Sequence, residues 1–173
     1  IQALANTNIT GKLVVHNYNN LSGDDIGNNL RVIGSLQARD GIELINDERD
    51  ITMGSLTATD IITSDGDIVI QAANNIRNAA DIKSSGGDVK ILATYDVIND
   101  GIVETASGDI TLRSTKGIVF NDDNADLLSS NGSVTLRASA PATGTGADYF
   151  YYTVYNETTG EVEEAEIVAV EKV

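Results

Sequence analysis

The chain is 173 residues long with a formal net charge of −15, which sets it against nucleic acid and anionic lipid, since neither gains from an acidic surface. It has no cysteine, so disulfides, thiol catalysis and thiolate-bound metals are excluded, and its single histidine, His16, leaves neither a zinc site nor a Ser-His-Asp triad to expect. No apolar run reaches the 18 residues of a membrane-spanning helix, and the chain opens on Ile1 rather than Met, as a processed product or a piece of something larger does.

Residues 1–33 fit the repeat poorly. A strand is expected from Ile9 to Asn17, closed by an Asn-rich turn, followed by a loop and a second strand. The segment reads as an N-terminal cap over the open edge of whatever follows, because bare strand edges aggregate.

From residue 34 to 140 the chain repeats itself. GSLQARD at Gly34 and GSLTATD at Gly54 look like two degenerate copies, and Gly66, Gly87, Gly108 and Gly132 open four clearer ones at spacings of 21, 21 and 24 residues. The shared core is Gly, Asp or Ser, Val or Ile, any residue, then Ile or Leu. A period near 20 means a solenoid, in which one coil cannot bury its own apolar residues and stacks on its neighbours.

Each coil holds three short alternating clusters, the mark of half-buried strands. The first holds Ile61, Ile82, Ile102 and Leu127; the second holds Ile68 and Ile70, Val89 and Ile91, Ile110 and Leu112, Val134 and Leu136; the third holds Ile76, Ile98 and Ile118. The fold class is therefore all-β, a right-handed, three-sided parallel β-helix with five or six coils from residue 34. The corner glycines are expected to supply positive φ.

Residues 141–148, inside the run Ser139 to Asp148, form a linker by composition. Residues 149–173 read as a β-hairpin or two strands in a different packing environment: Tyr149, Phe150, Tyr151, Tyr152 and Tyr155 crowd together, a turn follows at Asn156 to Gly160, and the segment ends on an apolar run from Ile167 to Val170.

Three kinds of candidate site emerge. Asp67, Asp88 and Asp109 occupy one place in successive coils, and stacked carboxylates repel unless each accepts a turn N–H or the column collects a cation; an Asx-type bond at every corner and a Ca²⁺ ladder are the two readings. Asp60, Asp81 and Asp126 make a second, interrupted set, with Asp24, Asp25, Asp122 and Asp123 as further cation candidates, although no dedicated Ca²⁺ loop of the β-roll type is present. Four Asn-X-Ser/Thr sequons, at Asn8, Asn20, Asn131 and Asn156, are candidate glycosylation sites. Finally, Tyr149, Phe150, Tyr151, Tyr152, Tyr155, Ile167, Val168 and Val170 are candidate subunit contacts, capping their own last coil or pairing with a neighbour.

The stretch GGDVKILATYDVINDGIVETASGDITLRSTKGI is similar to the repeats of the filamentous haemagglutinin family of secreted adhesins, whose coils carry a Gly-Asp-Ile-x-Leu core. The likeness covers about residues 34–140. It implies a right-handed parallel β-helix exported to the cell surface, where such proteins adhere to cells, matrix or one another. The expected function is a non-enzymatic, extracellular structural or adhesive protein, an adhesin segment or a self-assembling surface-fibre subunit, without a resident cofactor unless Ca²⁺ binds. Its partners are further copies of itself in an end-to-end or strand-donating contact, and a cell-surface or glycan ligand. Two alternatives stand beside it. A glycan-binding or glycan-cleaving β-helix carries aromatics and carboxylates on one outer face, whereas these coils hold only Tyr95 and Phe120 and are too short for loops that wall a cleft. A cytosolic, polymer-forming scaffold resembling the bactofilins is the other.

Overall fold

The structure, a computed structural model, describes residues 6–17, 29–54, 60–122, 125–138, 151–156 and 161–166. The first coil holds β1 (Thr7–Ile9), β2 (Leu13–Asn17) and β3 (Leu30–Val32); the second holds β4 (Leu36–Ala38), β5 (Ile42–Asn46) and β6 (Ile51–Met53). In the third are β7 (Ile61–Ser64), β8 (Ile68–Ala72) and β9 (Ile76–Asn78), and in the fourth β10 (Asp81–Ser84), β11 (Val89–Ala93) and β12 (Val97–Asn99). β13 (Val103–Thr105), β14 (Ile110–Ser114) and β15 (Val119–Asn121) make the fifth, and β16 (Leu127–Ser129) and β17 (Val134–Arg137) begin a sixth.

Every third strand is a neighbour in space. The first sheet runs β1-β4-β7-β10-β13-β16, the second β2-β5-β8-β11-β14-β17 and the third β3-β6-β9-β12-β15, all parallel. The result is an all-β solenoid of three parallel sheets, with no helix among the described residues. Backbone bonds step from coil to coil: the Ile68 amide donates to the Asp88 carbonyl at 2.8 Å, Val89 to Asp109 at 2.9 Å and Ile110 to Ser133 at 2.8 Å. A separate antiparallel hairpin pairs β18 (Tyr151–Asn156) with β19 (Glu161–Glu166), and the backbone of β18 comes close to β16.

The core is a set of aliphatic columns. Ile42, Ile68, Val89 and Ile110 stack in one column of the second sheet, and Leu44, Ile70, Ile91 and Leu112 in the next, all with no exposed surface. Each such side chain contributes roughly 1.5–3 kcal/mol by leaving water. Val134 and Leu136 continue both columns but are only partly buried, because no described coil covers them.

Four expectations are corrected. The described part of residues 1–33 does not stand apart from the repeat: β1, β2 and β3 pair in parallel register with β4, β5 and β6, so it is itself a coil. The GSL at Gly54 is not the counterpart of the GSL at Gly34, since Leu36 pairs with Ile62 instead. In the first sheet the inward column is Leu36, Ile62, Ile82, Val103 and Leu127, which leaves Ile61 and Ile102 half-buried beside it. In the third sheet Ile76, Val97 and Val119 point inward, and Ile98 instead sits between Arg77 and Phe120, with Ile118 just ahead of β15. The cause is common to both sheets: two adjacent aliphatics satisfy either register, and a slip by one residue exchanges the faces.

Inward polar residues settle the register. Asn78, Asn99 and Asn121 stack in the third sheet; the Asn78 amide donates to Asn99 Oδ1 at 2.8 Å, and the Asn99 amide donates to Asn121 Oδ1 at 2.7 Å. The same Asn78 and Asn99 amides also donate to the carbonyls of Ala80 and Gly101, at 2.9 and 2.7 Å, which holds the corner closed. In the first sheet the hydroxyls of Ser84, Thr105 and Ser129 donate to the carbonyls of Gly66, Gly87 and Gly108 in the preceding coil. The same hydroxyls accept the amides of Gly87, Gly108 and Gly132 in their own coil. Those glycines do not have positive φ, which is confined among described glycines to Gly34, Gly41 and Gly54. They are glycine because a Cβ on Gly87, Gly108 or Gly132 would run into the backbone of the coil before it.

The one-residue register is open to direct measurement. Ile62→Ala is expected to lower stability by about 2–5 kcal/mol in urea unfolding, and Ile61→Ala by less than about half as much. The reverse order would refute the assigned face.

Candidate functional site

The aspartate column lies at the corner ahead of the second sheet. Asp67 Oδ1 accepts the Asp88 amide at 2.9 Å, Asp88 Oδ1 accepts the Asp109 amide at 3.0 Å, and Asp109 Oδ1 accepts both the amide and the hydroxyl of Ser133, at 2.8 and 2.9 Å. Each carboxylate thus tethers the next coil by a charge-assisted bond. The structure brings Asp67, Asp88 and Asp109 together as expected from their spacing, and no group of three or more His, Asp or Glu among the described residues is arranged around a common point that could hold a metal ion.

A second corner column escaped the sequence reading. Asn29, Asp50, Asn75 and Asp96 each use Oδ1 to accept an amide one coil on: those of Asp50, Asn75, Asp96 and Ile118, at 3.3, 3.0, 3.0 and 3.0 Å. Its signal was the Asn or Asp ahead of each third strand, hidden by the uneven length of the preceding turn. Asp81 does the same more weakly, accepting the Ile102 amide at 3.4 Å. Asp60 is buried and its Oδ2 has no hydrogen-bond partner among the described residues, Asp126 is exposed, and Asp122 is half-buried at the corner after β15. Asp24, Asp25 and Asp123 lie outside the described residues. His16 is exposed and paired with Asp47 at 2.5 Å.

Charge is paired along the outer faces. Lys90 Nζ donates to Asp88 Oδ2 at 2.8 Å, and this bond, with the Asp109 amide on Oδ1, holds the Asp88 carboxyl below its ordinary value and raises Lys90. Lys12 pairs with Glu43, Arg39 with Asp40, Arg77 with Asp100 and Lys83 with Glu104, at 2.7, 2.8, 2.8 and 3.3 Å. Lys116 stands 5.7 Å from the centre of the Tyr95 ring. The outer side of the first sheet forms a shallow groove of about 500 Å³ that includes Gln37, Thr63, Lys83 and Glu104, and the Ser85 hydroxyl at its rim donates to Asp65.

On the second sheet one outward column reads His16, Ile45, Gln71, Leu92, Arg113, Arg137. Arg113 and Arg137 therefore stand directly opposite each other, both exposed, and Arg113 borders a depression of about 320 Å³ lined also by Asp47, Gln71, Leu92, Thr94 and Thr115. In sequence the basic residues look scattered; register alone brings these two together.

Of the sequons, Asn8 is exposed on β1 and Asn131 is exposed at a corner, its side chain donating to the Ala106 carbonyl at 2.8 Å. Asn156 ends β18, and Asn20 lies outside the described residues. Among the candidate contact residues, Tyr151, Tyr152 and Tyr155 fall in β18, while Tyr149, Phe150, Ile167, Val168 and Val170 lie outside the described residues.

Compared with known proteins, the chain matches the family model described as haemagglutinin repeat over residues 1–114 and 121–149. No curated protein and no solved structure matches it.

The Asp88 environment fixes a pH dependence. A carboxyl whose folded pKa is depressed adds stability above its unfolded value, 3.8 for an aspartate, and loses it as pH falls through the lower folded value. The Asp88→Asn variant keeps an oxygen for the Asp109 amide but not the attraction of Lys90. Its stability is expected to fall less steeply than that of the unaltered chain between pH 4 and pH 2, as read by urea midpoints at each pH; parallel curves would remove Asp88 from the acid response.

Proposed function

The chain belongs to the haemagglutinin repeat family, a family of non-enzymatic adhesins, and on that premise we propose that it is an extracellular rod segment of an adhesive surface protein that associates end to end with its own kind. The observation that carries this reading is the run of three parallel sheets through the described residues from Thr7 to Arg137, each coil adding one strand to each sheet. Such a body has stiffness and length as its chief properties, and its chemistry is confined to its faces and its ends.

The ends support association. β2 presents Leu13 and Val15 inward at one end, and β17 presents the half-covered Val134 and Leu136 at the other, and both are the outermost strands of their sheet among the described residues. Edges of this kind are covered or paired with another molecule. Residues 149–173, with their tyrosines and their apolar run, supply covering material at the end where it is needed.

Two measurements test the proposal. Protease shaving and antibody labelling of intact producing cells should find the chain outside, and an exclusively internal pool would overturn the extracellular reading. Sedimentation and electron microscopy should show oligomers for the full chain and monomers after deletion of residues 149–173; unchanged oligomers in the deletion would remove that segment from the assembly.

A further inference from the structure

We infer that the Arg113–Arg137 pair on the outer side of the second sheet is the docking site for the acidic strand β19 of a second copy of this chain, so that two copies exchange hairpins about a two-fold axis. This deepens the end-to-end reading above and rests on it.

The pair is set apart by its placement. Acidic residues outnumber Lys and Arg by 26 to 11, and Lys12, Arg39, Arg77, Lys83 and Lys90 each have a carboxylate within 3.3 Å. Arg113 and Arg137 have none among the described residues, as Arg31, Arg49 and Lys116 have none, but these two alone are stacked on one another, across a strand pair about 4.8 Å wide. Like charges directly opposite destabilise a sheet, so the placement weakens the isolated rod and favours an anionic partner. Guanidinium forks bind carboxylates in a bidentate geometry and also stack on aromatic rings.

The chain contains a matching strand. β19 reads Glu-Val-Glu-Glu-Ala-Glu from Glu161 to Glu166, and its hairpin partner β18 carries Tyr151, Tyr152 and Tyr155. Leu92 and the depression beside Arg113, whose lining mixes alanines with Gln71, Thr94, Thr115 and Asp47, give such a strand pair a footing next to the charges. The backbone of the chain's own hairpin comes close to β16 in the first sheet, and among the described residues neither arginine has a carboxylate partner. A second copy is the fitting donor. Because hairpin and arginine pair belong to the same end of the rod, each copy offers the other what it lacks, and an isologous contact of this kind closes at two.

A charge-swap experiment on the full-length chain decides the matter. The unaltered protein should sediment at twice its 18.2 kDa mass, and raising salt from 0.1 to 1 M, which shortens the screening length from about 10 to 3 Å, should weaken the dimer. R113E/R137E alone and E161K/E163K/E164K/E166K alone should each raise the dissociation constant by roughly tenfold or more. An equimolar mixture of the two variants should restore the dimer, which also shows that both variants are folded. If the unaltered chain associates and either variant associates equally well, the docking site is wrong while end-to-end association stands. If the mixture stays monomeric and a single chain carrying both sets of changes behaves like the unaltered protein, the contact is made within one chain and the inference is overturned. A full-length chain that is monomeric throughout overturns the association reading along with it.

Discussion

Everything in this rod depends on parallel pairing in register, one coil to the next, because that pairing places each residue directly above its counterpart. In the interior and at the corners like therefore sits on like, and there the residue types that tolerate their own company persist in a column. Aliphatics do so by packing, as Ile68, Val89 and Ile110 show. Asn does so because its amide is donor and acceptor at once, which lets Asn78, Asn99 and Asn121 run through a dry interior with their side-chain nitrogens satisfied. Ser and Thr manage it by giving a hydrogen bond to one coil while taking another from their own.

Carboxylates face a harder condition, since each added coil brings another negative charge within about 5 Å of the last. At both acidic corners the answer is the same geometry: one oxygen takes the amide of the following coil, as at Asp67, Asp88 and Asp96. The carboxylate becomes part of the ladder rather than an ornament on it. The other oxygen remains for solvent or, at Asp88, for Lys90. On the flat faces, alternation of sign does the equivalent work, with Lys83 beside Glu104 and Lys12 beside Glu43.

The same rule explains what could be read from the sequence. The Gly-Asp-Ile-x-Leu repeat placed the second sheet correctly, because strict alternation around an obligatory glycine admits one register. The first and third sheets were misread by one residue, at Ile61, Ile102, Ile98 and Ile118, because their aliphatics come in adjacent pairs and hydrophobicity alone cannot choose between them. The deciding residues were polar: Asn at 78, 99 and 121, and Ser or Thr at 84, 105 and 129, point inward where patterning rules assign polar side chains to solvent. Glycine was likewise recognised for the wrong reason, as a source of positive φ, when what it supplies is the absence of a Cβ between successive corners. The candidate sites divide along the same line. The aspartate column was legible because it rides on the repeat, whereas the Asn29–Asp50–Asn75–Asp96 column was not, because the turns before it vary in length.

A solenoid of this girth has no interior to spare for chemistry, so function belongs to departures from the stacking rule. Most columns obey it by packing, by shared hydrogen bonds or by alternating charge. Arg113 over Arg137 obeys it in none of these ways: two cations are stacked without an acid between them in a chain that has acids in excess. A stacking fold turns any such column into a concentrated charge at fixed spacing, and it does so only where the repeat is maintained, here in the TLRS and TLRA of successive coils. The same fold leaves its acidic, tyrosine-bearing hairpin outside the columns, free of the register that constrains everything else. Register creates a stacked pair of cations that no acid among the described residues satisfies, and the segment exempt from register carries the complementary charge.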